Sequence, residues 1–213
     1  MPKIELLHID CMEYMATLPD KAFELAIADP EYGGNDAIGM VNNNNFRKQA
    51  TKRTAYHLFA NVAPDEQYFK ELKRVSKNQI VWGGNFFGLI GGVIVWQKNG
   101  TAFGEGEIAI CSTHKSVRFF EYTWNGMIQS DMKNKEQRIH PTQKPVALYK
   151  WLLHNYAKPG DRILDTHGGS RSLAIACHQM GFDHVSCELD KDYHEASVKR
   201  FKEQTAQMQI FQP

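Results

Sequence analysis

Seven short runs of apolar and β-branched residues punctuate the chain, with helical patterns between most of them, and this alternation limits the fold more than any other feature. The runs are KIELLHI (3–9), ELAIAD (24–29), QIVWGG (79–84), GVIVWQ (92–97), EIAICST (107–113), RILDTH (162–167) and HVSCEL (184–189). Several are apolar at successive positions, as strands are when helices cover both faces of their sheet. Helical spacing marks residues 65–78, 145–158, 170–181 and 191–208; Pro64-Asp65 offers a capped start to the first and Gly181 closes the third. Strand and helix in alternation predict a doubly wound α/β sheet. No helix separates 92–97 from 107–113, so one strand near an edge is expected to run antiparallel.

A length of 213 residues suits one domain, 1–213. With 25 Lys and Arg against 24 Asp and Glu the net charge is +1, so any nucleic-acid contact must be a local patch. Residues 33–60 offer one: Arg47, Lys48, Lys52 and Arg53 face a single acid, Asp36, in a loop long enough to be either functional or disordered. A second irregular stretch, 125–141, carries Lys133, Lys135 and Arg138. Cys11, Cys111, Cys177 and Cys187 form no C-x-x-C pair, which argues against a zinc site or a disulfide framework, and no metal is expected. No apolar run approaches 18 residues and no leader is visible, so a soluble, cytoplasmic protein with no membrane contact is expected.

In open α/β sheets, ligands bind beyond the carboxyl ends of the strands, where strand order reverses. Three such ends carry suggestive residues. ILDTHGGSRS (163–172) ends a strand at Asp165 and opens a helix through two glycines and a serine, which suits a ligand approaching the backbone and equally suits a plain tight turn. Glu188 ends the next strand about 20 residues on, where an acid grips ribose hydroxyls in adenosine-binding folds. Third, ADPEYGG (28–34) places a carboxylate, a proline carbonyl and an aromatic ring together, two acceptors and a stacking face for the exocyclic amine of a nucleobase. Asp, Pro and Gly are also ordinary turn formers, so this stretch alone leaves both readings open.

Taken in order, these segments resemble a known family. DPEYG resembles the D-P-P-Y motif of DNA amino-methyltransferases, RIHPTQKPVALYKWLL (138–153) is similar to their H-P-T-x-K-P segment, and ILDTHGGS resembles their D-x-F-x-G-S-G cofactor loop. The order D-P-x-Y, H-P-T-x-K-P, glycine loop is that of the permuted, β-class members, and the resemblance covers most of the chain. It implies a class I methyltransferase sheet, Rossmann-like and mostly parallel with one antiparallel strand, circularly permuted so that residues 3–9 supply its third strand. The implied methyl donor is S-adenosyl-methionine. Asp165, His167, Gly168, Gly169 and Ser170 would line its methionine end with Thr142 and Lys144 nearby, Glu188 would hold the ribose, and Asp10 and Cys11 would meet the adenine, with Tyr193 either covering it or packing in its helix.

The implied reaction is methylation of the exocyclic amine of adenine in double-stranded DNA, with Asp29, Pro30 and Tyr32 as the catalytic set. Alternatives are a degenerate member that binds without turnover, or a methylase of the cytosine amine or of RNA. Residues 33–60 would close over the flipped base with Arg47, Lys48, Lys52 and Arg53 on phosphates; Asn85 and Phe86 would line the base pocket, and Trp82 and Phe87 would belong to the core. Residues 114–140 would be a short target-recognition region, and a homodimer would enlarge the DNA footprint. The sequence departs from the pattern at three places: Glu31 replaces the second proline, His167 the phenylalanine and Arg171 a glycine of the loop. Glu31 is expected to face solvent, and an arginine in a left-handed conformation would cost about 1–2 kcal/mol.

Overall fold

The computed structural model describes residues 1–33, 62–99, 104–124 and 128–209. Its elements follow in the order β1 (Ile4–His8), α1 (Cys11–Ala16), β2 (Phe23–Ala28), α2 (Glu66–Val75), β3 (Ser76–Trp82), β4 (Gly92–Gln97), β5 (Gly106–Cys111), β6 (Val117–Glu121), α3 (Val146–Tyr156), β7 (Arg162–Asp165), α4 (Ser172–Met180), β8 (Asp183–Glu188) and α5 (Lys191–Gln209). The strands form one sheet in the order β1-β8-β7-β2-β3-β5-β4-β6. Only β5 runs against its neighbours, antiparallel to both β3 and β4. The expected doubly wound sheet with one reversed strand is therefore present. The glycine-loop strand β7 follows β2 in the chain yet pairs beside it, which is the permuted order.

The central strand β2 explains the successive apolar positions. Leu25 and Ile27 pack with Leu148, Leu152, Leu173 and Ile175 under α3 and α4, while Ala26 and Ala28 pack with Met15, Tyr68, Leu72 and Val75 under α1 and α2. Two covered faces leave no place for a polar alternate.

Two features differ from the expectation. The helix expected over 65–78 stops at Val75, and Ser76 is already extended, with φ −125° and ψ 145°. Its hydroxyl donates to Leu72 O at 2.5 Å, closing the helix, and Ser76 pairs with Phe23 in the sheet. Tertiary pairing overrides the polar, helix-compatible Ser-Lys-Asn-Gln. Asp10 starts the six-residue α1 by accepting from Met12 N at 2.7 Å and Glu13 N at 3.1 Å. An element that was not expected is β6, an exposed edge strand beside β4 whose burial does not alternate. Among the described residues no helix is long and apolar enough to cross a membrane.

His184 on β8 gives the fold an acid limb. It is 1% exposed, and among the described residues its ring nitrogens lack a hydrogen-bond partner of normal geometry. Burial first, then the Arg171 cation, hold the imidazole down to about 3. The unfolded chain takes up this proton near pH 6.5, so the stabilisation is present above that pH and is lost as pH falls toward 3. His184→Leu is expected to flatten the fall in urea midpoint between pH 7 and pH 4, measured by circular dichroism.

Candidate active site

The chain order reverses between β7 and β2. From β7 the sheet continues outward through β8 to β1, and from β2 the other way to β3, so the crevice at the carboxyl ends of β7 and β2 is the expected ligand position. Asp29 follows β2, Asp165 ends β7 and Glu188 ends β8. Three acids predicted from separate motifs therefore meet at one edge of the sheet.

On the β7 side, the loop is pinned by its backbone. Gly168 N donates to Cys187 O at 2.7 Å, and Gly169, at φ +47°, donates its N–H to Glu188 Oε2 at 2.6 Å. Glu188 Oε1 accepts from Asp190 N at 2.9 Å, so this carboxylate ties the glycine turn to the start of α5 while keeping lone pairs for further donors. Asp165 is 5% exposed and accepts from His167 N at 3.0 Å and Ser186 Oγ at 3.3 Å. Burial raises its carboxyl to about 7 against the pull of Arg171. Ser170 is buried, its hydroxyl 3.1 Å from Ser172 Oγ and its carbonyl accepting from Arg200 at 2.6 Å; Arg200 in turn pairs with Glu136 at 2.5 Å. The Ser170 side chain thus faces the fold.

Asp10 turns one carboxylate oxygen onto the α1 N-terminus. Cys11 follows it, its thiol pushed up to about 12 by burial and then by Asp10, which keeps it neutral. Thr142 Oγ1 lies 3.0 Å from His140 Nδ1, and the His140 ring meets Tyr193 edge-on with centroids 4.3 Å apart. Tyr193, 5% exposed, thus packs its ring against the 138–145 segment.

On the β2 side, Asp29 Oδ1 accepts from the Tyr32 hydroxyl at 3.0 Å and Oδ2 from Lys144 Nζ at 2.5 Å. Lys144, 4% exposed, also reaches Glu107 Oε2 on β5 at 3.0 Å, and Glu107 closes a further ion pair with Lys98. Burial opposes the lysine charge, but Asp29 and Glu107 together outweigh it and hold Lys144 protonated. Burial likewise works against the Glu107 carboxylate, and Lys144 and Lys98 overcome it, bringing Glu107 to about 2. Lys144, expected beside the cofactor, thus pairs with Asp29. Glu107 and Lys98 had no motif to announce them; they lie in a plain strand and its flank.

The Tyr32 ring stacks on Phe86 with centroids 5.2 Å apart and meets Phe87 edge-on at 6.2 Å. Gly83, at φ +63°, makes room for it, since a Cβ there would fall 2.2 Å from the ring. Phe86 is 66% exposed beside it and Asn85 is exposed at the same turn, while Trp82 is wholly buried as expected of a core residue. Arg47, Lys48, Lys52 and Arg53 lie outside the described residues. Of the second basic stretch, Lys133 and Lys135 are exposed, whereas Arg138 donates to Pro141 O at 2.7 Å over the Trp124 ring.

The Arg171 departure is built into the core. Arg171 adopts the left-handed conformation at φ +59° and is fully buried. Its guanidinium donates to Ser186 Oγ, to Leu7 O at 3.0 Å and to His194 Nδ1 at 3.2 Å, joining β1, β8 and α5. Gly168 leaves it space, because a Cβ there would lie 2.1 Å from Arg171 Nη1. Glu31 corrects the expectation that it faces solvent: it turns inward, with Oε2 3.7 Å from His167 Nε2 and its side chain 30% exposed. The turn after β2 directs it across the crevice toward the glycine loop.

The chain is similar to known proteins. The chain is 24% identical over 201 residues to YubD of Escherichia coli (strain K12), covering 90% of this chain and 87% of that one. It is 21% identical over 244 residues to the type II methyltransferase M.HinfI of Haemophilus influenzae, covering 93% and 68%. Among solved structures, the M1.HpyAVI–SAM complex superposes with a TM-score of 0.58 at 18% identity over 92% of this chain and 99% of that one, a likeness of fold. The fold is that of class I methyltransferases. Residues 50–199 match the N6/N4 methyltransferase family of DNA methylases, which is most of the chain, and the protein belongs to that family.

Proposed function

We propose that the protein transfers a methyl group from S-adenosyl-methionine to the exocyclic amine of adenine in double-stranded DNA. The observation that carries this reading is the Asp29 carboxylate at the end of β2, in reach of the Tyr32 hydroxyl and one strand from the glycine turn held by Glu188. The cleft suits an adenosyl ligand: Glu188 has lone pairs left for two ribose hydroxyls, and the left-handed Gly169 turns its backbone N–H onto that same carboxylate. Bound there, S-adenosyl-methionine supplies an electrophilic methyl carbon on a sulfonium.

The remaining chemistry falls to the chain. An aromatic amine delocalises its lone pair into the ring, so the site must hold it pyramidal and aimed. Asp29 and the Pro30 carbonyl supply two acceptors for its two N–H groups, the amine taking Oδ1 from the Tyr32 hydroxyl while Lys144 keeps Oδ2 fixed. Burial raises the Asp29 carboxyl, the direction that suits a group receiving the proton released as the C–N bond forms. The Tyr32 and Phe86 rings provide the stacking face for a base flipped from the duplex. Arg47, Lys48, Lys52 and Arg53 are assigned to phosphates, Asp10 and Cys11 to the cofactor adenine, Asp165, His167, Gly168, Ser170 and Thr142 to the methionine end through backbone or side chain, and Asn85 to the rim of the base pocket. Adenine is favoured over cytosine because aspartate opens the D-P-x-Y segment. Residues 114–140 are assigned to target recognition, and a cytoplasmic homodimer would extend the DNA contact.

The test is incubation with labelled S-adenosyl-methionine and unmethylated bacterial DNA, then digestion to nucleosides and chromatography. N6-methyl-2′-deoxyadenosine is the expected product, and N4-methyl-2′-deoxycytidine overturns the base assignment. The inward Glu31 favours one other reading, a member that binds without turnover, which cofactor binding with no labelled nucleoside would mark.

A further inference from the structure

Among the described residues, Asp29, Asp165, Asp10, Glu188 and Glu31 bring carboxylates to the cleft, and the first four are already engaged. Asp29 is paired with Lys144, Asp165 lies in the field of Arg171, Asp10 caps α1, and Glu188 accepts two backbone N–H groups. Glu31 is different. Its neighbour among the described residues is the His167 imidazole, whose Nδ1 lies 2.9 Å from Thr166 Oγ1, itself 2.6 Å from the Tyr68 hydroxyl. Burial, opposed by Asp10, lowers His167 to about 4, so the ring is neutral and, among the described residues, no cation offsets Glu31. The groups in electrostatic reach of Glu31 are Asp29 from the end of β2, Glu188 from β8, Cys11 from α1 and Tyr68 from α2, none of them positive. Glu31 therefore stands between the acid assigned to the reacting amine and the acid assigned to the ribose.

That position has a chemical meaning, which rests on the proposed use of S-adenosyl-methionine. The sulfur of that molecule is bonded to the transferred methyl, to the ribose C5′ and to the methionine chain. A donor with its methyl toward Asp29 and its ribose on Glu188 has its sulfonium between the two. We propose that Glu31 is a specificity-determining residue that reads the positive charge of the sulfonium, so the protein prefers the charged donor to the neutral S-adenosyl-homocysteine left after transfer. The same contact aids product departure, because the attraction disappears with the methyl. Burial first, then Asp29 and Glu188, raise the Glu31 carboxyl to about 7, so it is ionised above that pH and neutral below. Preference for the donor then weakens as pH falls from 8 to 6.

Isothermal titration of the full chain with S-adenosyl-methionine and with S-adenosyl-homocysteine, at pH 8 and pH 6, tests this. Wild type is expected to favour the donor by about tenfold at pH 8 and by much less at pH 6, a charge contact of ordinary size at a half-buried site. Glu31→Gln is expected to lose that preference at pH 8, with homocysteine-product affinity within about twofold of wild type and little pH dependence. Glu31→Pro, which restores the family residue, is expected to behave as Glu31→Gln does, and thermal melts of both confirm folding. Equal losses for the two ligands, or a preference retained in either folded variant, overturn the role of Glu31 alone. Failure of wild type to bind either ligand overturns the S-adenosyl-methionine reading with it.

Discussion

Asp29→Asn is expected to lower the single-turnover methyl-transfer rate by about 10³-fold, the scale of removing one preorganised polar contact to a reacting centre. The substitution keeps the shape of the side chain and removes its charge. It also replaces one acceptor oxygen by an amide nitrogen that can only donate, and with the remaining oxygen held by Lys144 the amine loses its aimed partner. Lys144 retains Glu107, which spares the fold a wholly unpaired buried cation. Binding of S-adenosyl-methionine should change little, because Glu188 and the glycine turn lie across β7. A parallel loss of cofactor binding would show instead that Asp29 serves the donor. The pattern of low rate with unchanged binding identifies a group that acts in the transfer step.

Arg171→Met is expected to cost about 3–5 kcal/mol of folding stability, measured by urea denaturation at pH 7. The guanidinium is fully buried, donates to three elements and faces Asp165. A methionine of similar length fills the space but leaves Ser186, Leu7 O and the Asp165 charge without their partner. Arg171→Gly should be milder by about 1–2 kcal/mol from relief of the left-handed residue, though it opens a void. The loss has a pH signature. Asp165 already titrates near 7 in the folded chain, above its unfolded value, so protonation favours the folded state as pH falls from 7 toward 4. The penalty of Arg171→Met should therefore shrink across that window.

Arg171 also shows how a departure from a family pattern is absorbed. In the sequence it is a side chain where a glycine is usual, with a conformational cost and no visible return. In the structure, the preceding Gly168 provides the room and Ser186, Leu7 and His194 provide the acceptors. Nothing within the loop announces those partners, which lie up to 164 residues away in the chain.

The legible part of the molecule is the part set by local rules. Consecutive apolar residues in 25–28 and 163–164 report strands with two covered faces, and the chain order of D-P-x-Y, H-P-T-x-K-P and the glycine loop reports the permuted arrangement. Asp29, Asp165 and Glu188 were placed at strand ends by pattern and are found there. Edge strand β6 and the start of β3 escaped the pattern, because an exposed strand carries no burial alternation and Ser76 enters the sheet by pairing with Phe23.

By itself the sequence determined the doubly wound sheet, its permuted order and the polar groups at its carboxyl edge, because strand periodicity, turn chemistry and motif order act between near neighbours. Only the tertiary structure decided that Lys144 reaches Asp29 across 115 residues, that Glu107 braces Lys144 and that Glu31 looks into the cleft. Those facts depend on which strands pair and on how the chain leaves β2. A charge finds its partner only after the sheet has brought both to the same edge.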